Sequence, residues 1–213
     1  MSSIILLSIA AFILMIVFIV YSYKSIHSVR YVSKPAIMIC IILIPFLRDD
    51  LSNSSYRNYI VLGLIFSLIG DIFLVFKEQK LMAGLFSFLV AHLIYIYSFF
   101  NLIQFELRYW PLFILVPFSI FIYLFIADGL GKMKIPVIIY VGAIMGMVWG
   151  ASSVAIVNYN LQSFLVFIGA VLFLISDTAL SISLFKTSYS SSKLIVAGTY
   201  FPAQYLIAIS VII

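Results

Sequence analysis

The chain has little charge. Only seven acidic and twelve basic residues occur among 213, or 9%, where an ordinary soluble domain carries about a quarter. A water-exposed shell needs more than this, so a soluble enzyme and a disordered or fibrous chain are excluded. Cysteine is nearly absent. Cys40 stands alone in the run MICIILIPF, which excludes an intrachain disulfide and any cysteine-rich metal motif. It reads as a small packed hydrophobe. The sequence also lacks a Ser-His-Asp order, a zinc motif and a phosphate-cradling glycine loop. No metal or organic cofactor is expected.

What fills the chain instead is hydrocarbon. Hydrophobic residues make up 65%, in continuous runs about twice the length of the ten-residue alternating strands of a transmembrane barrel. The expectation is an all-α integral membrane protein. Eight spans of about 20 apolar residues fall near 3–22, 35–47, 59–76, 81–100, 110–127, 135–157, 162–185 and 193–213. The connections are too brief to hold a soluble domain, so residues 1–213 read as a single transmembrane bundle. The first run has no basic leader and no small-residue cleavage site, and reads as a retained span rather than a signal peptide.

The charges orient the bundle. Lys24, Arg30, Lys34, Lys77, Lys80, Lys132, Lys134, Lys186 and Lys193 follow the odd-numbered spans, and only Arg48, Arg57 and Arg108 follow the even ones. The positive-inside rule puts the nine in the cytoplasm and both termini outside it, as in a bacterial inner membrane. The net charge of +5 is thereby explained without a nucleic-acid partner.

Two segments resemble each other. Gly63-Leu-Ile-Phe-Ser-Leu-Ile-Gly70-Asp71 matches Gly169-Ala-Val-Leu-Phe-Leu-Ile-Ser176-Asp177 at an offset of 106, and Ala91-His92-Leu93-Ile94 resembles Ala203-Gln204-Tyr205-Leu206-Ile207. Two four-helix halves in the same orientation, about 1–106 and 107–213, would produce this.

The repeat pairs the two residues that fit hydrocarbon worst. A carboxylate at mid-membrane costs about 3 kcal/mol on insertion scales, yet Asp71 and Asp177 both lie inside spans. They stand six and nine residues before the basic ends marked by Lys77 and Lys186, hence at similar depth. Asp49, Asp50, Glu78, Glu106 and Asp128 fall in loops and are expected to be solvated. His92 and Tyr95 share a face of span four, and Tyr200 and Gln204 share one of span eight, so four helices could present polar groups to one cavity. The residues alone leave a catalytic pair, a proton relay and hydrogen bonding between packed helices open. Gly142, Gly146 and Gly150 recur every four residues and read as a helix-packing stripe. Pro117 and Pro202 are expected to kink their spans.

At these residues the sequence resembles the YhhN, or lysoplasmalogenase-like, family of multi-pass membrane proteins. The marks are Ser33-Lys34-Pro35, Gly70-Asp71-Ile-Phe-Leu, and Gly84-Leu-Phe-Ser-Phe-Leu-Val-Ala-His92-Leu-Ile-Tyr95. Further along stand Tyr140-Val-Gly-Ala-Ile-Met145, Ser176-Asp177-Thr-Ala-Leu and Tyr200-Phe-Pro-Ala-Gln204. The resemblance implies an eight-span bundle that hydrolyses the vinyl-ether bond of lysoplasmalogen, a lysophospholipid. The products are a fatty aldehyde and glycerophospho-ethanolamine or -choline.

Two aspartates suit that reaction. Acid opens a vinyl ether: protonation at the β-carbon gives an oxocarbenium ion, water adds, and the hemiacetal collapses. Glycosidases solve a related problem with two carboxyls. Asp71 and Asp177 are the expected catalytic pair. His92, Tyr95, Tyr200 and Gln204 are candidates to orient them. Lys34, placed at the cytoplasmic mouth of span two, is a candidate to meet the lipid phosphate. The rival readings are a small proton-coupled transporter and a non-catalytic lipid-binding protein.

Overall fold

A computed structural model describes residues 2–24, 27–47, 54–75 and 80–213. Arg48, Asp49, Asp50, Lys77 and Glu78 lie outside the described residues. The helices are α1 (Ser2–Tyr23), α2 (His27–Leu43), α3 (Ser54–Val75), α4 (Leu81–Leu102), α5 (Leu112–Ile126), α6 (Lys134–Asn158), α7 (Leu161–Phe185) and α8 (Ser192–Ile209). No strand occurs among the described residues. Seven helical segments are long and apolar enough to cross a membrane, and α8 is not among them. Lys193, Tyr200 and Gln204 lower its hydropathy, but Tyr200 and Gln204 are buried inside the bundle. Their polarity is therefore hidden from lipid.

The second span departs from expectation. Helix α2 begins at His27, eight residues before the expected start at 35, and ends in a 3₁₀ turn at Ile44–Leu47. The helix runs through Pro35. Its first half reads as polar because Arg30 and Lys34 face an internal cavity. Helices α5 and α8 likewise continue through Pro117 and Pro202.

The helices alternate in direction, and side chains tie the ends together. At one end the Tyr23 hydroxyl donates to the Ser190 carbonyl (3.0 Å), and Lys193 Nζ donates to the Ser22 carbonyl (3.0 Å). At the other, Tyr56 and Ser210 share a hydrogen bond of 2.7 Å, and Gln162 donates to the Ser210 carbonyl. There too the Trp149 indole donates to the Arg108 carbonyl, anchoring the α4–α5 connection on α6. A reciprocal capping box starts α7: Asn160 Oδ1 accepts from the Ser163 amide, and Ser163 Oγ accepts from the Asn160 amide.

Helices α1 and α5 are the least buried of the seven. Phe12, Phe113, Phe121 and Leu124 point outward from them, as a lipid-facing surface requires. The main core lies between α2, α3, α4, α6, α7 and α8, around Ile37, Leu64, Tyr95, Phe99, Phe173 and Phe201. Cys40 is a free thiol packed at its edge. The glycine stripe on α6 works at two of its three positions. A β-carbon at Gly150 would sit 2.7 Å from the Phe100 ring and one at Gly146 3.1 Å from Ile96, whereas Gly142 faces open space. Of the acidic loop residues described, Glu106 is exposed, and exposed Asp128 stands 3.5 Å from Lys186 Nζ.

Candidate active site

Asp71 occupies the last turns of α3 and is 1% exposed. Gly70 brings α4 against it, since a β-carbon there would lie 2.7 Å from the Phe88 ring. Lys34 Nζ stands 2.7 Å from Asp71 Oδ1, as an ion pair rather than a directed hydrogen bond. The Tyr200 hydroxyl donates to Oδ2 at 2.7 Å. Three helices, α2, α3 and α8, thus meet at one carboxylate. Lys34 is not at the mouth of its span, as the sequence suggested. It lies inside α2, and its ammonium is committed to Asp71.

Asp177 occupies the matching region of α7. Its Oδ2 accepts a short hydrogen bond from the Tyr140 hydroxyl of α6. His92 Nε2 of α4 lies 3.9 Å from the same oxygen, too far for a hydrogen bond. Neither ring nitrogen of His92 has a hydrogen-bond partner. Its ring is held edge-on by Tyr140 and Phe173, at 5.2 and 4.8 Å between centroids. No lysine or arginine pairs with Asp177 among the described residues. The two carboxyls therefore differ: one is ion-paired, the other carries a phenol and a nearby imidazole.

Both aspartates line a single cavity of about 710 Å³. It is bounded by Lys34, Tyr200 and Ser176 around the carboxyls and by Tyr23, Ser190 and Lys193 toward the basic end. Lys193, Tyr23 and Ser190 are exposed, so the cavity opens at that end. A second, narrow and apolar groove runs between α4, α5, α6 and α7, past Leu85, Phe118, Ile122 and Ile144. Asp177, Leu180 and Leu184 belong to both. A wide chamber of mixed polar and apolar lining and a small apolar groove share one carboxyl.

Not every candidate faces the chamber. His92, Tyr95 and Gln204 are fully buried and absent from its wall. Tyr95 donates to Gln204 Oε1 at 2.8 Å. That pair lies behind Tyr200, one helical turn from Gln204, and touches neither carboxylate. Of the residues expected on one cavity, Asp71, Asp177 and Tyr200 line it and His92, Tyr95 and Gln204 do not, while Lys34, expected at the mouth, lies on its wall. Sequence reasoning missed Tyr140 as a site residue. The signal was available, because Tyr140 stands at the repeat offset of 106 from Lys34.

Comparison with known proteins gives a consistent picture. The model of the YhhN family matches residues 29–211. The chain is 26% identical to the uncharacterized membrane protein YhhN of Escherichia coli O157:H7 over 187 residues, covering 87% of this chain and 88% of that protein. It is 32% identical to the lysoplasmalogenase TMEM86A of Bos taurus over 158 residues, covering 72% and 65%. A lysoplasmalogenase homolog of Dictyostelium discoideum is 31% identical over 151 residues, covering 58% and 50%. No solved structure gives a significant match.

Proposed function

Since the chain belongs to the YhhN family, we propose that it is a membrane hydrolase that cleaves the vinyl-ether bond of lysoplasmalogen between Asp71 and Asp177. The observation that carries this reading is the meeting of two unlike compartments at Asp177. An amphiphile with its polar head in the open chamber and the first carbons of its chain turned toward the small apolar groove presents the bond between them to that carboxyl. Relatives named lysoplasmalogenase at about 30% identity support the substrate class.

The asymmetry of the pair supports a division of roles. Asp71, held by the Lys34 ammonium and the Tyr200 hydroxyl, serves as the carboxylate that stabilises the oxocarbenium ion and takes a proton from water. Asp177 serves as the acid. Its Oδ2 accepts from Tyr140, which leaves Oδ1 to deliver a proton to the β-carbon of the vinyl ether. The vinyl π-electrons form the new C–H bond and the ether oxygen shares the positive charge. Water adds to the cationic carbon and loses its proton to Asp71. The hemiacetal then splits: its hydroxyl proton passes to Asp177, the C–O bond breaks and Asp71 returns its proton to the departing glycerol oxygen, so aldehyde and alcohol leave and both carboxyls are as they began. General acid–base action of this kind is worth about 10²–10⁴ in rate.

A transporter would need a path through the bundle. Beyond the carboxyls the interior is filled by Leu64, Tyr95 and Phe99, and the far end is tied by Tyr56 and Ser210. This supports a chamber with one entrance, on the cytoplasmic side by the positive-inside rule. The test is purified protein in detergent with a 1-alkenyl lysophospholipid and, beside it, the saturated 1-alkyl ether. Free aldehyde from the first alone is the expected result. No aldehyde from either would overturn the proposal.

A further inference from the structure

Lys34 is paired with Asp71, so among the described residues the cations that remain on the chamber wall are Arg30 and Lys193. We propose that these two form an anion subsite that takes the phosphate of the lysophospholipid, an inference that rests on the hydrolase reading above. Arg30 precedes Lys34 by one turn of α2, and Lys193 precedes Tyr200 by two turns of α8. At a rise of 1.5 Å per residue they lie about 6 and 10 Å nearer the entrance than the groups that hold Asp71. From the ether oxygen of a lysoplasmalogen to its phosphorus the path crosses the glycerol carbons, about 6 Å when extended. With the ether at the carboxyls, the phosphate reaches the level of Arg30 and Lys193.

Charge and hydrogen bonding agree with this placement. Among the described residues, the only acidic ones on the chamber wall are Asp71 and Asp177, both at its inner end. Arg30 Nε is buried without a hydrogen-bond partner, and no described carboxylate pairs with Arg30. A guanidinium in that state is a ready bidentate donor to phosphate. Lys193 Nζ is fixed at the rim by the Ser22 carbonyl at 3.0 Å and stands over the Tyr23 ring. Ser188, Ser190 and Ser192 line the same rim.

The test is equilibrium binding in detergent of three probes that the enzyme does not cleave: 1-O-alkyl-lysophosphatidylcholine, 1-O-alkylglycerol and glycerophosphocholine. The wild type is expected to bind the lysophospholipid at least tenfold tighter than the alkylglycerol, and glycerophosphocholine weakly. Arg30→Gln with Lys193→Gln should erase that preference while leaving alkylglycerol binding unchanged. Arg30→Lys with Lys193→Arg should keep most of it. Lys132→Gln, a cation at the same end but off the chamber wall, should change nothing. A wild type without preference, a double Gln variant that keeps it or loses both lipids, or glycerophosphocholine bound as tightly as the lysophospholipid would each overturn the subsite. None of the probes is a vinyl ether, so the outcome is independent of whether aldehyde is released.

Discussion

Lys34 and Tyr140 hold corresponding places on the two carboxyls: each contacts the aspartate 37 residues further along the chain, Lys34 at Asp71 and Tyr140 at Asp177. The glycines behave alike. Gly63 of α3 lies against Tyr95 of α4, and Gly169 of α7, 106 residues later, lies against Ile207 of α8, so each glycine brings its helix against the next one in its half. A duplicated four-helix unit would produce both coincidences. The duplication would then have diverged at one position, giving one carboxyl a cation and the other a phenol.

The ion pair should behave as a unit in stability. Lys34→Met leaves Asp71 buried without its cation, which typically costs about 3–5 kcal/mol. Adding Asp71→Asn should recover most of that loss. Thermal melts of the single and double variants in detergent check this. Losses that simply add would show that the two side chains are not coupled.

Tyr140→Phe keeps the ring against His92 and removes only the hydroxyl that Asp177 accepts. A hydrogen bond to an ionisable group is worth about 1.5–3 kcal/mol, so aldehyde release should fall roughly 10- to 100-fold with little change in melting. Tyr200→Phe should do the same through Asp71. Rates within twofold of the wild type in both would remove the phenols from the mechanism.

The close approach of α3 and α4 should resist a single methyl. Gly70→Ala drives a β-carbon into the Phe88 ring and should cost about 1–3 kcal/mol, displacing Asp71 and slowing turnover. Gly142→Ala meets nothing within 4 Å and should be neutral or stabilising by up to about 1 kcal/mol. Melting temperatures of the two variants give the comparison.

Sidedness is open to labelling. With Cys40 replaced by serine, a cysteine at exposed Asn158 should react with an impermeant reagent on intact cells. One at exposed Ser191 should react only after permeabilisation. The reverse pattern would turn the chamber toward the other face of the membrane.

Continuous apolar runs made most of the fold legible: α4 and α7 begin within a residue of the expected spans. The failures share one cause. Hydropathy counts a polar residue against a span whether it faces lipid or an internal cavity. Arg30 and Lys34 therefore concealed the first half of α2, and Tyr200 and Gln204 lower the hydropathy of α8. The aspartates stood out because a carboxyl in hydrocarbon has no other ready explanation. Tyr140 did not, being one of 14 tyrosines, a residue type that packs in cores as readily as it binds. His92 and Gln204 sat on the expected helices, but which of two adjacent rows faces the chamber depends on helix rotation, and that is fixed by packing partners such as Phe173.

The most direct measurement is aldehyde release from 1-alkenyl lysophospholipid by the wild type, Asp71→Asn, Asp177→Asn and the double variant, each shown by melting to be folded. Asn keeps the shape of the side chain but neither gives nor takes the proton, and it is cheaper to bury than an unpaired carboxylate. The expected result is a fall of at least about 100-fold in either single variant, with no further fall in the double, because the two carboxyls act in one step. A loss under tenfold in both single variants, or full hydrolysis by the double variant, would contradict the carboxyl pair.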